Sequence, residues 1–217
     1  MKVLLINTAG GEGSVALADT EVITAEVLPG RSSSERLVPV VRELMAERGW
    51  QLGELTAVVV VSGPGSFTGV RVGLSAAKGF VEAGGVPLIA LSRLALVAAA
   101  AGGDGPVLAV LDAGRGEFYF GEYLGRRCVR EALLSAEEVI SADAGGLVVT
   151  CEAKVMESLG VLELRLVSEP LAGDALPFAL ERIAVGEFDD AASVDANYLR
   201  RTDLEIFAKT APQKAAR

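Results

Sequence analysis

The sequence predicts an α/β protein made of two similar halves, and three observations carry that reading. Short apolar runs such as Ala57-Val58-Val59-Val60-Val61 have the length and β-branched content of strands buried on both faces. Stripes of helical period lie between such runs, and a Ser-x-x-Glu capping spacing occurs twice, at Ser32 and Glu35 and again at Ser135 and Glu138. Between the two occurrences stands Gly102-Gly103-Asp104-Gly105-Pro106, a stretch of linker composition, and beyond it the order of elements starts again.

In the first half, residues 2–7 read as a buried strand, 8–13 as a tight turn, and 14–18 and 22–28 as two further strands. Pro29-Gly30 ends that meander. Leu37, Val40, Val41 and Leu44 then form a helical stripe, with Pro39 inside it and expected to kink the helix. The run 57–61 is the next strand, followed by a helix from about Phe67 that Gly84-Gly85 closes. Residues 86–91 make a strand, and Ser92 caps a short helix over 94–101. In the second half, strands are expected at 107–111, 117–123 and 127–132, with Asp112 to Gly116 as the first turn. A capped helix, a strand at 147–150, a helix at 153–159, a strand at 162–167 and a helix at 174–185 follow. Both halves therefore read βββαβα, with divisions at 1–102, 106–200 and a small, basic tail at 201–217.

Composition excludes several classes of function. The chain has 217 residues, 51% of them apolar, with no histidine and a net charge of −9. Without histidine there is no His-based metal site, no Ser-His-Asp triad and no histidine general base. The negative charge argues against gripping a nucleic-acid backbone unaided. Cys128 and Cys151 stand far apart, which supports neither a disulfide framework nor a Cys-rich metal site. Mean hydropathy is high at +0.42, yet no stretch supplies the roughly 20 consecutive apolar residues of a membrane span. The apolar run after Met1 is too short for a signal peptide, so a cytoplasmic protein is expected.

The stretch from Ser62 to Phe80 is the most unusual in the chain. A strand, a turn containing Gly63-Pro64-Gly65 and a helix N-terminus form a phosphate-binding layout, because free backbone N–H groups and the helix dipole point at the turn. The turn has neither the Gly-Lys-Ser/Thr ending of a P-loop nor the dinucleotide spacing, which leaves the phosphate signal weak. Within the helix, Gly69, Gly73 and Ala77 recur every four residues and strip one face of side chains. Glycine costs about 1 kcal/mol relative to alanine inside a helix, so the row needs a reason. A second helix approaching backbone to backbone is one; tight packing on the chain's own sheet is the other.

Gly63-Pro64-Gly65-Ser66-Phe67-Thr68-Gly69-Val70-Arg71-Val72-Gly73 closely resembles the signature of the TsaB family, and the resemblance runs from the first strand to Asn197-Tyr198-Leu199-Arg200-Arg201. It implies the actin-like ATPase (ribonuclease H-like) fold. It also implies a non-catalytic, glycoprotease-like partner of TsaD, which makes threonylcarbamoyladenosine at the adenosine beside the anticodon of tRNAs reading codons that begin with A. Pairing in the family uses the first two helices, here about 34–48 and 67–81. The interface expected from this is Phe67, Thr68, Gly69, Val70, Arg71, Gly73, Leu74, Ala77 and Lys78, with Leu37, Val41 and Leu44. The implied partners are TsaD and the ATPase TsaE, with a homodimer in isolation and tRNA met only indirectly. ATP and a divalent metal are expected on the partners, and no cofactor in this chain.

Departures from catalytic relatives lie in the turns. The acidic residue expected at the end of the first strand is Asn7, an amide and a poor ligand for a hard cation. The His-x-x-x-His metal motif of those relatives matches Arg31 to Arg36, where serine stands at about Ser33. Thr8, Gly10, Gly11 and Asp112 are what is left of a phosphate site, with Asp112 more simply a turn cap. An alternative enzyme reading, a small ATPase or kinase of the same fold, would use Gly10, Gly11 and Asp112 around phosphate.

Overall fold

The computed structural model describes residues 1–29, 33–103, 105–142, 145–197 and 199. Two five-stranded sheets organise it. In the first, β1 (Val3–Asn7), β2 (Gly13–Ala18) and β3 (Val22–Leu28) form an antiparallel meander. Strands β4 (Ala57–Val61) and β5 (Leu88–Leu91) add in parallel on the other side of β1, giving the order β3-β2-β1-β4-β5. In the second, β6 (Pro106–Gly114), β7 (Glu117–Leu124) and β8 (Arg127–Ser135) form the meander, and β9 (Leu147–Thr150) and β10 (Leu164–Leu166) continue in parallel. Its order, β8-β7-β6-β9-β10, repeats the first sheet position for position. Leu5 pairs with Ala16 and Val59, and its counterpart Ala109 pairs with Gly121 and Val149. The duplication and the actin-like architecture expected from the sequence are both present.

Local chemistry sets the element ends. Helix α1 (Ser33–Glu47) runs unbroken through the exposed Pro39, which does not interrupt it. Helix α2 (Phe67–Gly84) starts where the Ser66 hydroxyl accepts from the Gly69 N–H at 3.2 Å, and stops at Gly85, whose φ of 62° is left-handed. Ser92 caps α3 (Arg93–Ala100) through the Leu94 N–H. The second capping box closes reciprocally ahead of α4 (Ala136–Ala142), the Ser135 N–H donating to Glu138 at 2.7 Å and the Glu138 N–H to Ser135 at 3.3 Å. The first, at Ser32, lies outside the described residues. Strand β6 continues beyond Leu111 through a bulge at Asp112 to Gly114, so the turn is only Arg115-Gly116. Both of those residues have positive φ, 59° and 78°, as a tight hairpin of two residues requires.

The sequence halves and the packed bodies do not coincide. Helices α1 and α2 cover one face of the first sheet, while α4 and α5 (Ala153–Ser158) cover one face of the second. Helix α3 follows β5 in sequence but packs on β6, β7 and β9. Apolar throughout after Arg93, it wedges between the cores up to Ala98, with Ala99 and Ala100 exposed at its end: Leu96 belongs to the first core, and Leu94, Val97 and Ala98 to the second. In return, a 3-10 turn at Ala172–Ala175 and helix α6 (Leu176–Val185) come back to cover the free face of the first sheet. Strand β6 divides its side chains by the period of a strand, Val107, Ala109 and Leu111 facing α3 and Leu108 and Val110 facing α4 and α5.

Candidate functional site

Two places concentrate features worth a function, the outer face of α2 and the cleft between the halves. On α2 the row of small residues faces inward. A Cβ on Gly73 would lie 2.3 Å from the Thr8 hydroxyl, and one on Gly69 would lie 2.1 Å from the Thr8 carbonyl oxygen. The Thr8 hydroxyl donates to the Gly69 carbonyl at 2.7 Å, which fastens the end of β1 to the first turn of α2. The groove for a second helix therefore gives way to close packing on the chain's own sheet. Val70, Gly73, Leu74 and Ala77 are buried there, and Leu37, Val41 and Leu44 of α1 are buried in the same core. None of these seven presents a surface, and Gly69 is half-buried against Thr8.

The outward face of α2 carries the remainder. Phe67 is 64% exposed, with the Arg71 guanidinium 3.3 Å from its ring centroid. Thr68 is exposed beside them, and Lys78 is half-buried further along, where its charge helps to hold the Asp190 carboxyl below the usual range after the Ala192 and Ser193 contacts. The outward side of α1, which packs beside α2, adds Val38 at 50% exposure.

The cleft is a cavity of about 480 Å3 lined by Gly10 and Gly11 from the first turn, Gly65 and Ser66 before α2, Arg93, Asp112, Glu152 and Lys154. Gly10, Gly11 and Asp112 are thus brought together across the two halves, as the resemblance expects. Thr8 is not among them; its hydroxyl is committed to Gly69. The side chain that dominates the cleft is Arg93, 3% exposed. Its guanidinium grips Glu169 at 2.8, 2.9 and 3.1 Å, Glu152 at 3.1 Å and the Cys151 sulfur at 3.4 Å. The other Glu152 oxygen accepts the Asp112 N–H at 2.8 Å, and the Asp112 carboxylate holds Lys154 at 2.6 Å. Burial pushes the Cys151 thiol up to about 12, against the pull of Arg93. Asn7, 1% exposed, donates from its amide to the Pro170 carbonyl at 2.8 Å and accepts the Ala9 N–H at 3.0 Å. An amide suits that place because it must donate to a carbonyl and accept from an N–H at once.

The fold family implies a nucleotide in this cleft, and the residues present do not fit its phosphates. Two carboxylates, Glu169 and Glu152, stand where negative charge would have to enter, and a Cβ on Gly10 would lie 2.2 Å from a Glu169 oxygen. Among the described residues no three His, Cys, Asp or Glu side chains gather as a metal site, and no helix is long and apolar enough to cross a membrane.

Comparison with known proteins places the chain. Residues 26–168 match the family model of TsaD, tRNA N6-adenosine threonylcarbamoyltransferase. The tRNA threonylcarbamoyladenosine biosynthesis protein TsaB of Escherichia coli is 38% identical over 57% of this chain, and that of Bacillus subtilis 32% identical over 66%. Those alignments span 55% and 64% of the two relatives. The structure of YeaZ, as TsaB is also called, from Pseudomonas aeruginosa superimposes with a TM-score of 0.77 and 31% identity, over 91% of this chain and 100% of that one. The chain belongs to the TsaB family.

For a TsaB-family chain the sequence reading missed the residues that govern the cleft. Arg93, Glu152 and Glu169 were not singled out, although an arginine directly after a capping serine and ahead of an apolar helix is a charge placed at a buried position. Of the family's C-terminal signature, Asn197 is described. Its N–H donates to the Ser62 carbonyl at 2.8 Å and its side-chain amide to Glu131 at 2.8 Å, and Leu199 packs on the second core. Tyr198, Arg200, Arg201 and the tail lie outside the described residues, as does Ser33's side chain.

Proposed function

We infer that the chain is a non-catalytic subunit in the biosynthesis of threonylcarbamoyladenosine on tRNAs that read codons beginning with A. In this reading it pairs with TsaD and stabilises TsaD's competent state, which a bound partner can do only by preferring that state. TsaE, ATP and the divalent metal belong to the rest of the assembly, which works in the cytoplasm. The observation that carries the reading is the exposed Phe67 and Arg71 pair on α2, within the stretch most like the family signature. An aromatic ring covered by a guanidinium is the kind of anchor that interfaces favour. A net charge of −9 leaves the grip on tRNA to other subunits. The same ridge can pair two copies when the partner is lacking.

Phe67→Ala with Arg71→Glu tests it, because both side chains lie outside the core and the monomer should keep its fold. Size-exclusion chromatography with TsaD from the same organism should show the wild-type complex and its loss in the variant. Mass spectrometry of tRNA nucleosides from cells carrying only the variant should show less threonylcarbamoyladenosine. Full modification and an intact complex in the variant would place the contact elsewhere.

A further inference from the structure

The cleft carries an arrangement that the assembly reading does not use. The chain passes between the two packed bodies at the end of β5, where Leu91 leads into α3, and again after β10, where residues 167–171 lead back beneath the first sheet. The second passage is fastened along its length. The Val167 N–H donates to the Thr150 carbonyl, the Pro170 carbonyl accepts from Asn7, and the Ala172 N–H donates to the Ser14 hydroxyl at 2.8 Å. Glu169 sits in the middle of this strap and meets Arg93, the first residue of α3. One ion pair therefore ties the two passages to each other, although its members are 76 residues apart.

The place that Glu169 occupies has the makings of an anion site. It is bounded by Gly10, whose missing side chain is what lets the carboxylate in, and by a guanidinium that is 3% exposed. Gly65 is equally constrained, since a Cβ there would fall 2.1 Å from the Ala9 carbonyl oxygen and 3.4 Å from Arg93. A buried arginine needs an anion, because an unpaired buried charge is costly, and the planar fork favours a two-oxygen partner. Here the two oxygens come from the chain itself.

We propose that Glu169 is a tethered anion that fills the anion-binding notch of the cleft, so that this chain is its own ligand where catalytic folds of this kind take a phosphate. The notch then holds the two bodies in a fixed relation with no small molecule bound, and free phosphate would have to displace a carboxylate tethered by the strap. Removing the side chain frees the Nε and Nη2 edge of Arg93, with Glu152 still on Nη1, opens the space over Gly10 and creates a site for a small oxyanion.

Thermal unfolding of the full chain, with and without inorganic phosphate or pyrophosphate, tests this in three proteins. The wild type should not respond to either anion. Glu169→Ala should unfold at a lower temperature, and either anion should raise its midpoint progressively with concentration, as ligand binding to the folded state demands. Glu169→Gln keeps the side chain in the notch while removing its charge, so its midpoint should fall and should not respond to anions. A wild type stabilised by phosphate would mean that the notch is open, and would overturn the proposal. So would a folded Glu169→Ala indifferent to both anions. If Glu169→Ala does not fold even with anion, Glu169→Gln decides: an unchanged midpoint there removes the role of the charge and the proposal with it.

Discussion

Gly73→Ala adds a single methyl group to a helix, where alanine is ordinarily the better residue by about 1 kcal/mol. Here it should destabilise the protein. The new Cβ would sit 2.3 Å from the Thr8 hydroxyl and 3.6 Å from an Ile6 methyl. Thr8 lies at the fixed end of β1 and its hydroxyl is bonded to Gly69, so the group in the way is not the loose end of a flexible chain. Either the hydroxyl rotates off the Gly69 carbonyl, losing about 1 kcal/mol of hydrogen bond, or α2 moves off the sheet at an overpacking cost of about 1–3 kcal/mol. Set against the helix gain, the net loss should be up to about 2 kcal/mol, read from the urea midpoint at unchanged slope. Thr8→Ala removes the clashing oxygen. Made together, the two changes should cost less than their sum, with a coupling of about 1 kcal/mol or more. Gly79→Ala is the control on the same helix: it is exposed, nothing lies within 4 Å of its added Cβ, and it should gain about 0.5–1 kcal/mol. A Gly73→Ala protein that gains about 1 kcal/mol, as Gly79→Ala should, or strict additivity with Thr8→Ala, would refute the packing account.

Arg93→Met should lower stability by about 2–4 kcal/mol, below the top of the range for broken buried pairs because Glu152 and Glu169 are a quarter to a third exposed and can be partly rehydrated; denaturant titration reads this directly, and a neutral result would make the network dispensable. Stability should also fall as pH rises from neutral into the alkaline range. Burial raises the Cys151 thiol to about 12, and burial with the neighbouring Glu131 raises the Tyr123 hydroxyl. Both groups are acids whose folded pKa exceeds the unfolded one, so the unfolded chain gives up its protons first, at about 8.5 and about 10. The contribution is whole below those values and is lost above them. Urea midpoints from pH 7 upward should show the decline, Cys151→Ala should flatten its first part, and a midpoint constant to about pH 10 would contradict the Cys151 shift.

Much of the fold could be read from the chain because each element is marked by its own local chemistry. The β-branched runs at β4 and β9, the capping residues Ser92 and Ser135, and the Gly84-Gly85 stop all act within a few residues of where they stand. The two-residue turn at Arg115-Gly116 was legible only in part. A strand with a bulge and a longer loop share the composition of 112–116, and the register that separates them belongs to the partner strand. The exchange of α3 and the 172–185 segment between bodies had one local sign. Helix α3 is apolar on all sides, which a helix covering a single sheet has no reason to be.

The face of α2 shows where period alone falls short and what completes it. Spacing of four put Gly69, Gly73 and Ala77 on one side but did not say what that side meets. Val70, Leu74 and Val81 fall on the same side of the helical wheel, whereas Thr68, Arg71, Ser75 and Glu82 fall opposite. Small residues that share a face with the apolar stripe face the core, so the row of glycines measures how closely α2 must approach β1, and Phe67 is conspicuous because it breaks the polar side. The cleft follows a different logic. Arg93 and Glu169 are joined only through the fold, each standing where the chain passes from one body to the other, and spacing along a sequence carries nothing about such a meeting. What it does carry is the cost of a residue alone: an arginine opening an apolar helix, and a strand-end amide where a carboxylate would serve a metal; that Gly10 has no turn angle to justify it is seen only in the structure. Each is a local exception, and the structure resolves all of them with the same carboxylate strap, Asn7 holding Pro170, Gly10 admitting Glu169 and Arg93 binding it.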